Sequence, residues 1–558
     1  MAALVAPPRL AQAQRAKSPA DATVFVRLTG SVHIDYEDLN GKQATDLSAV
    51  EIGSGSGFVI SPYGYVLTNE HVVRTSENFK VAKGLQRATI TLKVTSMDVC
   101  FGAEAAAAHG ISSRCLPASV SASDAARDLA VLYISGSSFP YIALGDSDAI
   151  ASGLAVEALG YPFGRDVEVG RMATVQDIVP DVSTTPGAIS ALRTNDAGAR
   201  QYLQITNTVN PGNSGGPIIT REGFAVGVLR AKLTNAEGVA FAIAINEVKD
   251  FLESRGLDQL MPVRRLRLGS MQTFEAKGVA LRLPDGFTDA SPFPSRIENT
   301  AAAGEIALRV DRVLTPWSAK RIEETLTGTR TFETVSMTPR DSRNAPESAD
   351  ASLLLGGAVA ADGDPGREAW MDYGIRDLES EKLVARYVGP AEWMAFNESV
   401  LRESLGSLQG RRFTAAQLAP ETLSWSVPAG ASVENSVLMP TGWVVAPGAL
   451  SGCAGLPEPA IAVAATPPQD STIMLRAAVW PNGEAAPATA ASACSSQRGT
   501  LGEGSYAQST TWLGVPYVME GVFARIGSRL VRLEVLATGQ RAAVARNLLA
   551  VWVKRIAE

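Results

Sequence analysis

Short apolar runs separated by glycine and proline fill residues 22–255 of this 558-residue chain. Residues 53–60 (GSGSGFVI) and 64–67 (GYVL) are two such runs, and residues 128–134 (DLAVLYI) form a third that begins with an acid. Apolar runs of about four to eight residues between turn residues are typical of buried β-strands. The pattern predicts an all-β unit in which the first two runs form a β-hairpin that ends just before His71.

At the end of this unit the spacing of apolar residues changes from that of strands to that of a helix. Residues 246–253 (NEVKDFLE) place Val248, Phe251 and Leu252 on one helical face, and Gly256 predicts the end of that helix. The basic stretch that follows predicts a linker. We therefore expect a β-rich domain over residues 21–256 with its own closed core, and a linker over residues 257–272.

The remaining half of the chain contains two similar stretches. Residues 281–286 (LRLPDG) resemble residues 425–430 (WSVPAG), and each is followed by alternating strand patterns and a closing helix. The strand positions are Ile306, Leu308 and Val310 in the first, and Ile473, Leu475, Ala477 and Val479 in the second. The helix positions are Trp393, Phe396, Val400, Leu401 and Leu408, interrupted by Ser404, and then Val544, Leu548, Val551, Trp552 and Ile556. These patterns predict two α+β modules, over residues 273–412 and 418–558, that are either a repeat or a coincidence of short motifs.

Composition limits the classes of function. The chain is 46% hydrophobic and 19% charged with a net charge of −7, and it has no Lys/Arg-rich run, which argues against a nucleic-acid partner. No apolar stretch reaches the ~20 residues of a membrane span. The only histidines are His33, His71 and His109, and the cysteines form no CxxC pair, so neither a metal site nor a cofactor is expected.

The N-terminus and the cysteines bear on the compartment. Residues 1–20 are rich in Ala and Pro and contain a small-x-small Ala-Gln-Ala motif, which is either the remnant of a signal peptide or a disordered tail. Four cysteines allow three pairings, and the pairing local in sequence joins Cys100 to Cys115 and Cys453 to Cys494. Such bridges predict a periplasmic or secreted protein.

Residues 210–217 (NPGNSGGP) carry the clearest chemical signal. Ser214 lies between glycines in a tight loop, as an exposed hydroxyl nucleophile requires. Such a loop can direct the backbone amides of Gly212 and Ser214 towards one point, where a tetrahedral intermediate would place its oxyanion.

A base and an acid precede this serine in the chain. His71 comes directly after the predicted hairpin, and Asp128 begins a buried strand, where its carboxylate can hold the imidazole in one tautomer. Asp124 is the alternative acid, although no strand follows it directly. The order His71, Asp128, Ser214 is that of chymotrypsin-type enzymes.

The motifs TNEHVV, DLAVLYI and NPGNSGGP together resemble a trypsin-like serine peptidase of the bacterial HtrA/Deg branch. The resemblance covers residues 22–255 and implies a fold of two six-stranded β-barrels. PDZ domains are typical of that branch, but residues beyond 260 show no carboxylate-binding loop of the PDZ kind. The two C-terminal modules instead faintly resemble PsbP-like folds.

The resemblance also implies a substrate pocket and a function. Thr208 occupies the position at the base of the primary pocket, where trypsin has an acid, and Val209 is similar to the aliphatic residue with which HtrA-type enzymes line a shallow pocket. We expect an endopeptidase that cleaves protein or peptide substrates after small or medium aliphatic residues, in envelope protein quality control or processing. The alternative is a catalytically silent peptidase fold that binds partners through its C-terminal modules. The sequence leaves open whether the chain forms a homo-oligomer.

Overall fold

The structure is a computed structural model, and it describes most of residues 16–557. The ranges within that span that it leaves out are residues 17, 39–40, 75, 84–85, 163–178, 195–199, 233–239, 290, 292–295, 301–305, 316, 328–337, 340–351, 361–367, 380, 413–417, 429–436, 448–455, 469, 471, 482–486, 496, 498 and 513–514. Most of the N-terminal segment predicted at 1–20 therefore lies outside the described residues.

The first barrel is an antiparallel sheet that closes on itself. Its strands follow the order β1-β2-β3-β7-β6-β5, the pairing of β1 with β5 completes the ring, and β4 extends the sheet beside β5. The elements are α1 (Pro19–Ala22), β1 (Thr23–Asp38), β2 (Gly41–Ser61), β3 (Tyr65–Thr68), β4 (Ser76–Lys83), β5 (Gln86–Cys100), α2 (Ala103–Ala108), β6 (Cys115–Asp124) and β7 (Leu129–Ile134). The predicted hairpin is β2 and β3, and a short 3₁₀ turn begins at His71.

The second barrel is a closed ring in the order β10-β13-β12-β11-β8-β9. Its elements are β8 (Ala155–Gly160), β9 (Ser183–Thr194), β10 (Arg200–Ile205), β11 (Pro217–Ile219), β12 (Ala225–Lys232), β13 (Ala240–Ala244) and the closing helix α3 (Ile245–Ser254). Gly256 follows that helix in the left-handed region, with a φ of 68°. Two six-stranded antiparallel barrels confirm the expected trypsin-like architecture.

Two six-stranded antiparallel sheets dominate the rest of the chain, in the orders β16-β17-β21-β20-β19-β18 and β25-β26-β27-β30-β29-β28. The first accessory module contains β14 (Leu268–Phe274), β15 (Val279–Pro284), β16 (Arg296–Thr300), β17 (Ala307–Leu314), α4 (Ala319–Leu326), β18 (Thr338–Pro339), β19 (Leu353–Ala360), β20 (Ala369–Leu378), β21 (Glu381–Pro390), α5 (Ala391–Phe396), α6 (Glu398–Gly406) and β22 (Gln409–Gly410). The second contains β23 (Trp425–Ser426), β24 (Met439–Pro440), β25 (Val444–Pro447), β26 (Ile461–Thr466), β27 (Ile473–Trp480), α7 (Pro487–Cys494), β28 (Ser505–Trp512), β29 (Val515–Ile526), β30 (Arg529–Thr538) and α8 (Ala542–Ala557).

The two sheets share a topology. In each, a helix follows an interior strand of the sheet, and an antiparallel meander comes next. The last strand of the meander pairs with that interior strand (β17 with β21, β27 with β30). A closing helical segment then packs on the sheet. This common order is what a repeat requires, while the module boundaries stay a prediction.

The closing helix of the first module differs from the sequence prediction. The predicted single helix is two helices, α5 and α6, with a break at Asn397. The side chain of Asn397 accepts a hydrogen bond from the amide of Leu266 (2.7 Å) and donates one to the carbonyl of Arg264 (3.1 Å). Ser404, which interrupts the apolar stripe, is buried and contacts the hydroxyl of Tyr387 at 2.7 Å.

Residues 257–272, predicted as a linker, contain buried side chains, and the core of the first barrel continues beyond them. Val263 and Leu266 are buried, and β14 begins at Leu268, inside the predicted linker range of 257–272. The largest hydrophobic cluster begins in the first barrel, passes through α3 and continues into the first accessory module as far as Leu408. The second barrel has a separate core.

The cysteines connect adjacent strands. Cys100 at the end of β5 and Cys115 at the start of β6 face each other and are joined by a disulfide. Cys494 is also disulfide-bonded, and its predicted partner Cys453 lies outside the described residues. No helix in the described part of the chain is both long enough and apolar enough to span a membrane.

Candidate active site

His71 and Asp128 meet at one end of the first barrel. The Nδ1 atom of His71 lies 2.9 Å from each carboxylate oxygen of Asp128, and the backbone amide of His71 donates to the same carboxylate at 3.0 Å. The side chain of Asp128 is 9% exposed, whereas that of His71 is 36% exposed. The imidazole therefore has Nδ1 engaged by a buried anion, which leaves Nε2 to act as a base.

The backbone of Asp128 is held in an uncommon conformation. Its φ is 55°, in the left-handed region that aspartate tolerates better than most residues. The side-chain amide of Asn69 donates to the carbonyl of Asp128 at 2.9 Å and fixes this turn. Such a conformation costs about 1 kcal/mol or more and is found where the surrounding structure orients a functional group.

A third group, Arg230 of β12, contacts the same carboxylate from the second barrel. Its Nε lies 3.2 Å from an oxygen of Asp128, and its guanidinium also donates to the hydroxyl of Tyr202 at 2.6 Å. Burial alone would raise the pKa of Asp128, but hydrogen bonds from His71 and the positive charge of Arg230 outweigh it and hold that pKa below its ordinary value. The carboxylate is thus kept ionised.

The hydroxyl of Ser214 lies across the barrel interface from this pair. It donates to the backbone carbonyl of Arg230 at 2.8 Å, and the hydrogen bonds of the described residues include none between Ser214 and His71. Both side chains line the same cavity. A hydrogen bond from Ser214 to Nε2 of His71 would require the hydroxyl to turn away from the Arg230 carbonyl, and such contacts commonly tighten only when substrate binds.

The loop before Ser214 is anchored to the first barrel by Ser56 of β2. The hydroxyl of Ser56 donates to the carbonyl of Gly212 at 2.7 Å, and its backbone amide donates to the carbonyl of Ser214 at 2.8 Å. Gly215 has a φ of 87°, and a Cβ at that position would lie 2.1 Å from the carbonyl oxygen of Ser56. Glycine is therefore required where this loop crosses β2.

The two amides predicted to bind the oxyanion are not engaged by another group. Among the described residues, the amides of Gly212 and Ser214 donate to no acceptor, whereas the amides of Asn213 and Gly215 are used within the loop and the barrel. Gly212 has a φ of 97°. Unengaged amides beside a nucleophile are the groups that an oxyanion hole needs, and their role here stays a prediction.

The remaining sequence candidates lie elsewhere. Asp124 binds the side chain of Arg127 at 2.8 Å rather than His71. Thr208 is exposed and Val209 is buried in the core of the second barrel, and neither lines the cavity that His71 and Ser214 share. Their part in substrate preference stays a prediction.

The two other histidines also lie apart from the cavity. His33 contacts Asp46 on an exposed strand, and His109 contacts Asp21. Within the described residues, no three His, Cys, Asp or Glu side chains form a group suited to a metal ion.

The cavity that His71 and Ser214 line has a volume of about 270 Å³. Its lining is mixed, since it includes polar groups such as Ser54 and Arg74. Strands of the first barrel add an aliphatic part to the lining, which contains Leu28, Ile52, Leu92 and Val94.

A comparison with protein families identifies the kind of domain that contains these residues. Residues 55–228 match the family model of the trypsin-like peptidase domain. The chain therefore carries a trypsin-like peptidase domain. His71, Asp128 and Ser214 all lie within the matched residues.

Relatives of the peptidase domain are found among named serine proteases. The serine protease HTRA2, mitochondrial, of Drosophila willistoni is 31% identical over 236 residues, which is 42% of this chain and 44% of that protein. HhoB of Synechocystis sp. is 31% identical over 210 residues, covering 37% of this chain and 40% of that protein. The chain thus spans less than half the length of these relatives.

A solved serine endoprotease from Yersinia pestis is 23% identical and covers 44% of this chain and 69% of its own, with a TM-score of 0.27.

The contact of Arg230 with Asp128 leads to a pH prediction. We expect Arg230→Gln to raise the pKa of Asp128, since the carboxylate loses a cation that favours its ionised form. An NMR titration of the Asp128 carboxyl gives this pKa, and Arg230→Lys, which retains the charge, should keep it near its wild-type position. An unchanged pKa of Asp128 in Arg230→Gln would show that Arg230 does not act on that carboxylate.

Proposed function

We propose that the protein is a serine endopeptidase that hydrolyses peptide bonds of protein substrates with Ser214 as nucleophile, His71 as general base and acid, and Asp128 as the group that orients His71. The observation that carries this proposal is the placement of Nδ1 of His71 at 2.9 Å from both oxygens of a buried carboxylate, in a cavity shared with Ser214.

Acylation follows from these contacts. The Ser214 oxygen attacks the carbonyl carbon of the scissile peptide while Nε2 of His71 takes its proton. The carbonyl oxygen becomes an oxyanion, and the amides of Gly212 and Ser214 donate to it, which contributes on the order of 10²–10³ in rate per donor. His71 then gives the proton to the leaving amine, the carbon–nitrogen bond breaks, and an acyl-enzyme remains.

Deacylation repeats these steps with water. His71 takes a proton from the water, the resulting oxygen attacks the ester carbonyl, and the proton returns to the Ser214 oxygen as the carboxylic acid leaves. The buried carboxylate of Asp128 stabilises the imidazolium that forms in each half-reaction.

The aliphatic part of the cavity lining supports a preference on the leaving-group side of the cut. His71 must protonate the leaving amine, so the residue after the scissile bond lies on the first-barrel side, where Leu28, Ile52, Leu92 and Val94 form the wall. We therefore propose substrates with an aliphatic residue directly after the cut.

This preference can be tested with a variant of the wall. For peptides with Leu after the cut, we expect Leu92→Asp to lower kcat/KM by about tenfold, because it places a charge against an apolar side chain. Leu47→Asp is the matched control, since Leu47 is 45% exposed and lies outside the cavity. The assignment would be contradicted if the ratio of kcat/KM for peptides with Leu to those with Lys after the cut were the same in the wild-type and Leu92→Asp proteins.

An oxidising compartment, the periplasm or the exterior of the cell, is proposed for this enzyme. The Cys100–Cys115 disulfide and the disulfide-bonded state of Cys494 support it, because such bonds persist mainly outside the cytosol. We propose a role there in the quality control or processing of proteins.

Cleavage of casein by the purified chain tests the proposed reaction. The endopeptidase proposal predicts fragments whose formation stops after treatment with a fluorophosphonate. A folded protein that produces no fragments and does not react with the probe would support the alternative, a silent peptidase fold that binds partners.

A further inference from the structure

The segment between the two barrels, residues 135–154, is hydrogen-bonded to a strand of each. On the first-barrel side, the amide of Ile142 donates to the carbonyl of Val59 in β2 at 2.9 Å. On the other side, the amide of Ala225 in β12 donates to the carbonyl of Ala143 at 3.0 Å. This connector therefore couples the position of β2 to that of β12.

The same two strands hold the candidate active site. Ser56 of β2 anchors the loop that carries Ser214, and Arg230 of β12 contacts both Ser214 and Asp128. The base and its carboxylate belong to the first barrel and the nucleophile to the second. Their separation therefore depends on how the barrels sit relative to each other, and a misplacement of about 1 Å can cost roughly 10²-fold in rate.

The first accessory module contacts this connector through Asp146. One carboxylate oxygen of Asp146 accepts hydrogen bonds from the amide (2.9 Å) and the hydroxyl (2.6 Å) of Ser399, at the start of α6. The other oxygen accepts from the side-chain amide of Asn246 in α3 at 2.8 Å and from the amide of Asp148 at 3.0 Å. Asp146 is 5% exposed, so three segments meet at one buried carboxylate.

The charge of this carboxylate is stabilised by its surroundings. Burial alone would raise the pKa of Asp146, but the positive charge of Lys249 and the hydrogen bonds from Ser399 and Asn246 hold it below its ordinary value. Lys249 is itself buried, which lowers its pKa to about 8, and its Nζ donates to the carbonyl of Phe396 at 2.6 Å. Hydrogen bonds to an ionised acceptor are stronger than those between neutral groups.

Two further contacts flank Asp146. The hydroxyl of Tyr141, also in the connector, lies 3.1 and 3.2 Å from the carboxylate oxygens of Glu392 in α5. The ring of Phe224, next to β12, packs edge-to-face on Trp370 of β20 with centroids 5.2 Å apart. Together with the bond from Lys249 to Phe396, these contacts join the module both to the connector and to the second barrel.

We propose that the first accessory module is a structural part of the peptidase, which sets the relative position of the two barrels by binding the connector through Asp146. Asp146 is then a positioning residue for the reaction of Ser214 and His71, although it contacts neither. The inference rests on the proposed peptidase function, and it makes the accessory module necessary for full activity.

The test is the rate of fluorophosphonate labelling of the full chain, measured over a range of probe concentrations. Asp146→Asn replaces one carboxylate oxygen with an NH₂ group. Because both oxygens of Asp146 accept hydrogen bonds, this NH₂ group would face the donors of either Ser399 or Asn246. We expect the maximal labelling rate to fall about tenfold while the half-saturating concentration stays unchanged, because the alignment of the reacting groups changes and the probe site does not. Ser399→Ala removes only one donor and should lower the maximal rate about twofold to threefold.

Asp470→Asn in the second module is the matched control. Asp470 is also buried, and it likewise accepts from an amide (2.8 Å) and a hydroxyl (2.6 Å) of a single residue, Thr472. This variant should label at the wild-type maximal rate. Circular dichroism and thermal melts of every variant separate a loss of alignment from a loss of fold.

Three results would contradict the proposal. The first is a folded Asp146→Asn protein with the wild-type maximal rate. The second, which applies if Asp146→Asn does not fold, is a Ser399→Ala protein with the wild-type maximal rate. The third is a wild-type chain that does not label at all, and it differs from the other two because it would also refute the proposed peptidase function.

Discussion

Replacing Ser214 with alanine is expected to lower casein cleavage by a factor on the order of 10⁶ and to abolish fluorophosphonate labelling, with the fold unchanged. The substitution removes the only atom that forms the acyl bond. Because the hydroxyl of Ser214 makes one hydrogen bond, to the carbonyl of Arg230, its loss should have little effect on stability. Activity measured against casein and circular dichroism of the same preparation check both parts.

Ser190→Ala is a suitable control for this variant. Ser190 is an exposed serine of β9 whose hydroxyl bonds the carbonyl of Gln204 at 3.1 Å, outside the cavity. It should retain wild-type cleavage. If Ser214→Ala cleaves casein as fast as the wild type, the nucleophile is another residue.

Asp128→Asn is expected to lower kcat by about 10⁴-fold. An asparagine can turn its amide N–H towards Nδ1 of His71, which favours the tautomer in which Nε2 carries the proton and cannot act as a base. His71→Ala should be at least as damaging. Steady-state kinetics with a peptide substrate at neutral pH gives both values.

Asp124→Asn separates the two acids that the sequence offers. Asp124 binds Arg127 in the turn before β7, so we expect its replacement to change kcat by less than about threefold. If Asp124→Asn is the more damaging variant, the acid assigned to His71 is the wrong one.

The barrels and the candidate residues His71, Asp128 and Ser214 have signals in the sequence that are local. Apolar runs between glycine and proline mark β2, β3 and β7, and His71 and Asp128 stand at the ends of those runs. The glycines around Ser214 are local signals too, since a side chain at Gly215 would collide with β2.

The contacts of Arg230 and Ser56 could not be predicted because they join residues far apart in the chain. Ser56 lies in a glycine-rich run that indicates only a strand, and Arg230 comes at the end of an ordinary apolar run. An arginine so close to an assigned active-site acid becomes visible only when the second barrel is placed against the first. The break at Asn397 has the same origin, because two of the partners of its side chain are backbone groups of the distant residues Arg264 and Leu266.

The contacts of residues 257–272 with the first accessory module could not be predicted for a related reason. The stretch 262–267 (PVRRLR) is basic, which is typical of a linker, yet Val263 and Leu266 are buried. No sequence motif marks Asp146 either. Its proposed role depends on hydrogen bonds from Ser399, which is far away in the sequence.

Mapping the adduct that a fluorophosphonate forms on the purified full chain tests the assigned active site most directly. The probe reacts only with a serine that a base activates and that an oxyanion hole accompanies. We expect mass spectrometry of the digested protein to find one adduct, on Ser214, and none in the Ser214→Ala variant. A folded wild-type chain without an adduct, or with the adduct on a different serine, would contradict a catalytic role for Ser214, His71 and Asp128.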